Sequence, residues 1–250
     1  MVLRSKAACG FTQCAMAHYS SIFIMETRKE ELLKLIIENY VATAEPVGSK
    51  FLVDSAELDV SGATVRNEMR ELEEVGYLVQ PHTSAGRIPS EAGYRYYVEH
   101  LMRPESLKGA DARELSRVVA GERDSTHKRK AVARFTAEYV GNAVIIAWQR
   151  HSLYYTGLAY LFVQPEFRDM AHTVRISSLF DECEDRIDDL FSASEGNEPT
   201  VLIGKDNPLG SLCGTVTMRL RGESLMAIVG PWRMPYGRVV GLLQAIRSIL

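Results

Sequence analysis

The sequence predicts an α+β protein in two parts: helices closed by a short hairpin, then strands flanked by helices. Three observations lead there. Apolar residues recur at three- and four-residue steps within residues 28–44, 61–76 and 90–101, the spacing of one buried helix face. Directly after the second of these, a polar loop at residues 81–86 separates two short strand-like runs, 77–80 and 87–89. Beyond residue 131, strand-like runs are enclosed by helical ones at both ends.

At 250 residues the chain is long enough for two domains of ordinary size. Hydrophobic residues at 46% and charged ones at 24% exclude a disordered chain. No apolar run is long enough to cross a bilayer, so a cytoplasmic protein without a membrane partner is expected. Cys9, Cys14, Cys183 and Cys213 make no disulfide framework for this size, which fits a reducing compartment. Residues 1–25 read as an extension, a tail or the product of an upstream start with Met25 as the true one. Cys9, Cys14 and His18 have ligand-like spacing but no evident fourth ligand, so no metal is expected.

In the first helix Leu32, Leu35, Ile36, Tyr40 and Val41 form the inward stripe, and Thr27 with Glu30 forms a capping box. Pro46 forces Glu45 out of the helical region and ends this helix near Ala44. Ser49 caps a short second helix carrying Phe51 and Leu52 inward, and residues 59–60 make a turn. Ser61 caps the third helix, Val65, Met69 and Leu72 face inward, and Gly76 stops it. Ala63, Arg66, Asn67, Arg70 and Glu74 lie opposite. A fourth helix starts at Ser90 and packs through Tyr94, Tyr97, Val98 and Leu101.

This order is that of a winged helix-turn-helix domain over residues 26–103, and double-stranded DNA is the partner it predicts. Ser61 and Thr64 belong to a run of small residues that lets the third helix approach a groove. Arg66 and Asn67 can make bidentate hydrogen bonds to guanine and adenine edges, and Arg70 extends that face. His82, Thr83, Ser84 and Arg87 on the hairpin are placed for phosphates or the minor groove. For the helix alone, pairing of Arg66 and Arg70 with Glu73 and Glu74 on a solvated face is the favoured reading. The hairpin that follows reverses that preference. Charge opposes it: residues 26–103 hold nine Lys/Arg against fourteen Asp/Glu, where a DNA binder usually shows a basic footprint. The acids crowd the first and third helices, while residues 78–89 contain Arg87 and no acid. Dimerisation is therefore expected to matter for affinity.

The words Ala44-Glu-Pro-Val-Gly-Ser-Lys50, Ala63-Thr-Val-Arg-Asn-Glu-Met69, Leu72-Glu-Glu-Val-Gly-Tyr-Leu78, Gln80-Pro-His-Thr-Ser-Ala-Gly-Arg87 and Gly93-Tyr-Arg-Tyr-Tyr-Val98 occur in order. They resemble the HrcA heat-inducible transcription repressors of bacteria. Tyr154-Tyr-Thr-Gly-Leu158, Gln164-Pro-Glu-Phe-Arg-Asp169, Ile203-Gly-Lys-Asp-Asn207 and Gly230-Pro-Trp-Arg-Met-Pro-Tyr236 resemble that family's C-terminal domain more loosely. The resemblance implies a homodimeric repressor on an inverted repeat upstream of chaperone operons, kept active by the chaperonin until heat diverts it. It also implies a GAF-like α+β domain over residues 131–250. Typical members insert a dimerisation domain there, and here Trp148 is followed almost at once by Tyr154. The dimer is then expected through the GAF-like domain or the helix at 131–140.

Residues 104–130 read as a linker with a helix near 110–119, and Lys128, Arg129 and Lys130 as a solvated helix start. Val132, Phe135, Tyr139 and Val140 share a helix face before a turn at Gly141 and Asn142. Strands are expected at 143–148, 200–203, 213–220 and 225–229, the last two as a hairpin around 221–223. Residues 154–163 are an apolar aromatic stretch. An acidic helix is expected at 181–190, with Phe180, Ile187, Leu190 and Phe191 inward. The closing helix at 235–250 buries Val239, Leu242, Leu243 and Ile246. Trp148, Tyr160 and Trp232 suggest a ligand pocket less than they suggest core filling. No nucleophile-base arrangement and no phosphate-cradling loop is found, so neither an enzyme nor a cofactor is expected. Two other functions fit the residues: a ligand-responsive repressor of other genes, and a winged helix serving as a protein-interaction module.

Overall fold

The computed structural model describes residues 27–55, 61–149, 152–194, 196–221 and 224–250, and its mixture of helix and sheet is of the α+β kind. Residues 1–25, the turn at 59–60 and the centre of the 221–223 turn lie outside the described residues. The Cys9, Cys14 and His18 spacing lies there too.

Helix α1 (Thr27–Thr43) buries Leu32, Leu33, Ile36 and Ile37, with Leu35, Tyr40 and Val41 at the margin. The buried arc is broader than the expected stripe because α1 is covered on several sides, by the third helix and the hairpin among them. Thr27 is already helical, and the Glu30 carboxylate accepts the Tyr96 hydroxyl at 2.6 Å rather than closing a capping box. The helix ends at Ala44, whose φ is 58°. In α2 (Ser49–Ser55), Ser49 is the first helical residue. Leu52 is buried but Phe51 is 46% exposed, since neighbours on a short helix diverge by about 100° and only one can face inward.

Helix α3 (Gly62–Glu74) follows expectation. Ser61 Oγ accepts the Thr64 backbone N–H at 3.2 Å, and Val65, Met69 and Leu72 are buried. Gly76, at φ 91°, carries the chain out of the helix. Strands β1 (Leu78–Val79) and β2 (Ile88–Pro89) pair antiparallel, Leu78 against Pro89. Ser90 then caps α4 (Glu91–Tyr96), which runs on as a π-helical turn, Tyr97–Leu101.

The stretch expected as a linker with one helix has that helix and the start of a second. It holds α5 (Gly109–Gly121), with Leu115 buried, and the start of α6 (Ser125–Val140), which Asp124 caps through the His127 N–H at 2.9 Å. After Gly141 come β3 (Ala143–Gln149) and β4 (Ser152–Thr156), paired antiparallel from Val144–Thr156 to Gln149–Ser152 with a register shift between Ala147 and Gln149. That pairing leaves no room for an inserted domain between them. The aromatic stretch 154–163 divides at Gly157 into β4 and α7 (Leu158–Phe162).

The acidic helix expected at 181–190 is broken. Helix α8 (Met170–Asp181) stops at its start, a 3-10 turn spans Cys183–Arg186, and α9 (Ile187–Ala193) follows. Helix α8 escaped sequence reading because Met170 and Val174 are 73% and 55% exposed, which blurs its apolar period. Strands β5 (Thr200–Ile203), β6 (Gly214–Leu220) and β7 (Ser224–Gly230) and helix α10 (Tyr236–Ile249) complete the chain close to their expected bounds.

The five-stranded antiparallel sheet has the order β4-β3-β7-β6-β5. Alternate residues of its central strands serve opposite faces. Val144, Ile146, Val216, Met226 and Ile228 join the core beneath α6 and α10, while Ala143, Ile145, Leu225, Ala227 and Val229 join the core beneath α7, α8 and α9. Cys183 and Cys213 are buried free thiols of that second core, and burial pushes the Cys213 thiol up to about 11. Among the described residues no helix is long and apolar enough to cross a membrane.

The first core is continuous with the interior of the N-terminal unit. Tyr94 meets Tyr236 edge-on with ring centroids 6.2 Å apart, and the chain leaving α4 crosses α10 where the Glu105 N–H donates to the Gly237 carbonyl at 2.9 Å. A methyl group at Gly237 or Gly241 would collide with the backbone of Arg103 or Glu105. We expect Gly241→Ala to force the crossing chain away and destabilise the protein by about 1–3 kcal/mol, as overpacking does, read by urea unfolding. An unchanged midpoint would show that the crossing yields freely.

Candidate nucleic-acid interface and the cleft behind it

The outward face of α3 is assembled by its neighbours. Glu68 is buried and pairs with Arg28 of α1; Glu71 pairs with Lys29 at 2.8 Å, and that ammonium holds the Glu71 carboxyl below its ordinary value. Glu73 accepts from Arg87 Nε at 2.8 Å, and Glu74 lies 3.6 Å from Arg70. Every glutamate of α3 thus has a cation beside it. Arg66 and Asn67 are exposed and have no hydrogen-bond or ion-pair partner among the described residues. Of the pairing on a solvated face considered for Arg66 and Arg70, the structure holds Arg70 with Glu74 and does not hold Arg66 with a glutamate.

Ser61 is exposed and spends its hydroxyl on the cap, touching Thr64 Oγ1 at 3.0 Å. Both therefore hold the start of the helix, and Thr64 is only half-buried. Arg70 is exposed. On the hairpin His82, Thr83 and Ser84 are exposed at the tip, while Arg87 is partly buried at the base. Arg87 also exchanges both backbone hydrogen bonds with Val47, each 2.9 Å. Its side chain joins the hairpin to the last turn of α3, so of the nine expected contact residues it is the one most committed inside the protein.

Sequence reasoning missed Gln80. Its amide donates to the carbonyls of Thr83 and Ala85, both at 3.0 Å, and so shapes the tip from within. A glutamine beside a proline carries no signal of that role. It also missed how distant words converge. Arg233 Nε and Nη2 take the two oxygens of Glu166 at 2.6 and 3.1 Å, and Arg233 Nη1 donates to the Val41 carbonyl at 2.7 Å. Arg95 pairs with Asp206 at 2.5 Å and with Glu91, and donates to the Ile203 carbonyl.

Beside Arg233 a cleft of about 650 Å³ opens between the hairpin base and the sheet domain. Trp232 lines it and donates its indole N–H to Ser211 at 3.1 Å. Trp148 and Tyr160 are not among its walls: Trp148 lies under Lys130 Nζ at 5.9 Å, and Tyr160 is 41% exposed. The three aromatics therefore do not form one pocket. Tyr40 and Tyr94 do line the cleft; burial, with the Glu166 carboxylate nearby, raises both phenols, so both keep their protons.

The profile described as HrcA protein C terminal domain matches residues 102–240. A heat-inducible transcription repressor HrcA of Symbiobacterium thermophilum is 30% identical over 336 aligned residues, covering 91% of this chain and 98% of that protein. Since the chain has 250 residues, that relative carries residues with no counterpart here. The HrcA repressor of Pelotomaculum thermopropionicum is 58% identical over 83 residues, 33% of this chain and 24% of the relative. That of Acidothermus cellulolyticus is 42% identical over 125 residues, 50% of this chain and 37% of the relative. A crystal structure of a hypothetical protein superposes with a TM-score of 0.62 at 16% identity, over 90% of this chain and 96% of that one, a likeness of fold alone.

We expect Gln80→Ala to loosen the hairpin tip while costing no more than about 1.5 kcal/mol of global stability, the range of net hydrogen-bond contributions. Hydrogen exchange at the amides of residues 82–86 should accelerate while α3 stays protected. Unchanged exchange at the tip would show that Gln80 does not shape it.

Proposed function

The chain belongs to the HrcA family, and from that premise we propose that it is a heat-inducible transcription repressor whose N-terminal unit is a winged helix-turn-helix bound to duplex DNA. The observation that carries the reading is the exposed pair Arg66 and Asn67 on a helix whose glutamates are each matched by a cation. Four of the acids in residues 26–103 are matched by cations on this helix, and the acid-free hairpin tip follows it.

Arg66 and Asn67 read base edges in the major groove, Arg70 reaches a flanking phosphate, and Ser61 and Thr64 bring the start of α3 against the backbone. His82, Thr83 and Ser84 touch phosphates or the minor groove. Arg87 holds the hairpin at the angle that lets them do so. The recognition unit spans residues 26–103, preceded by the extension 1–25, and residues 131–250 form a GAF-like domain with 104–130 joining the two. Two copies bind an inverted repeat, their third helices about 34 Å apart in successive major grooves. The dimer is made by the GAF-like domain or α6, because β3 and β4 are joined without an insert. By family resemblance the chaperonin keeps the repressor competent, the operators lie upstream of chaperone operons, and the protein works in the cytoplasm.

Its acidity favours one other reading, in which the winged helix is a protein-interaction module. A gel-shift assay at low salt, using the inverted repeat upstream of the cell's chaperonin operon, separates the two: retardation supports the repressor, and none supports the module. We expect Arg66→Ala to lose about 1–3 kcal/mol of affinity and to relax preference at one base pair, as loss of a bidentate base contact does. Equal weakening on every sequence would instead assign Arg66 to a phosphate.

A further inference from the structure

The two edges of the five-stranded sheet are treated differently. At β5, Arg95 of α4 donates to the Ile203 carbonyl and pairs with Asp206 just beyond the strand. At the opposite edge β4 pairs with β3 and with no other strand among the described residues. Among those residues no backbone hydrogen bond reaches β4 from outside the sheet. An edge left in this state carries N–H and C=O groups ready to pair with another strand.

Proteins guard such edges with charge, proline or a bulge. Strand β4 reads Ser-Leu-Tyr-Tyr-Thr, with neither a charge nor a proline. The register shift lies at its turn end, between Ala147 and Gln149, and the pairs from Leu153 to Thr156 are regular. Lys130 is the cation beside it, and its ammonium sits over the Trp148 and Tyr154 rings, 5.9 and 5.1 Å from their centroids. Tyr155 is 40% exposed, its ring 5.6 Å from that of Phe180 on the other face.

An antiparallel edge strand is its own complement about a two-fold axis, so a second copy of the chain supplies a fitting partner with no further surface. We propose that β4 pairs with β4 of a second copy and joins the two sheets into one. Pairing along all five residues centres the register on Tyr154, which then faces its own counterpart. Leu153 meets Tyr155 across the seam as an aliphatic–aromatic pair. Because β5 is capped, assembly stops at two copies and does not run on as a filament. This rests on the two-copy reading of DNA binding above, and between its two candidate surfaces it selects the sheet domain. Five residues a side fall short of the roughly 800 Å² per partner of a stable interface. Free copies therefore associate weakly, with a dissociation constant of about 10–100 μM. Two half-sites on one duplex hold the copies at an effective concentration of about 1 mM, enough to close the seam there.

Sedimentation equilibrium of the full chain without DNA tests this. Loaded at up to about 300 μM, above the expected constant, the protein should be largely dimeric. Tyr155→Lys puts a cation on both strands of the seam and should weaken association at least about tenfold. Val163→Lys, at a position 80% exposed outside β4, should leave association unchanged. Tyr154→Cys, in a chain also carrying Cys9→Ser and Cys14→Ser, should form an interchain disulfide on mild oxidation, since a residue on the axis meets its own copy. Val163→Cys in the same background should not. The cross-link decides the matter if Tyr155→Lys fails to fold. A monomer at the highest concentration overturns the proposal, as does a dimer that Tyr155→Lys leaves intact or Tyr154→Cys does not cross-link. DNA binding is judged apart. A monomer that still retards the inverted repeat sinks the seam alone, and a dimer that retards nothing sinks the repressor reading alone.

Discussion

Arg233 holds the two halves of the molecule in one geometry. Its side chain is 12% exposed, and the guanidinium grips Glu166 through two hydrogen bonds while a third ends on the Val41 carbonyl in the last turn of α1. A helix leaves its final carbonyls without partners inside the helix, and a cation there also meets the negative end of its dipole. The residue therefore closes α1 and anchors the loop before α10 at once. Such a pair adds little net stability over apolar packing, but removing one partner leaves a desolvated charge and costs about 3–5 kcal/mol. Its effect is to define a single arrangement.

Other contacts at the junction are arranged so that the first depends on few flexible parts. Arg95 ties α4 to the end of β5, and the chain after α4 lies against glycines of α10, where backbone meets backbone. Helix α10 is buried along most of its length, between the sheet and that crossing chain. Helix α4 is joined in turn to the end of α3 through Ser90, which donates to the Gly76 carbonyl at 2.5 Å.

Much of the fold was legible because its signals are local. Ser61, Ser90, Gly76 and Gly141 mark helix ends through the geometry of a few neighbouring residues, and the 3.6-residue period of α3 and α10 follows from having one inward face. The failures have equally local causes. Phe51 and Leu52 are adjacent and equally apolar, so pattern did not say which one the core would take. Helix α8 exposes apolar residues, and the acidic run after it hid a break at Cys183–Arg186. At the candidate interface, the exposed residues of α3 and the hairpin tip were readable, whereas the inward commitment of Arg87 was not.

What the sequence by itself determined is the order of the first four helices and their hairpin, the identity of the outward residues on α3, and the family to which those words belong. Tertiary structure alone decided how the charges of residues 26–103 are spent. A sum of nine basic and fourteen acidic residues says nothing of pairing, because Coulomb energy depends on separation, and Arg28, Lys29 and Arg87 reach the glutamates of α3 only after the chain has folded. The same holds for the cleft. Tyr40, Tyr94, Glu166 and Trp232 come from four stretches of chain with no shared periodicity, and only the docking of the two units brings them to the wall of one cleft.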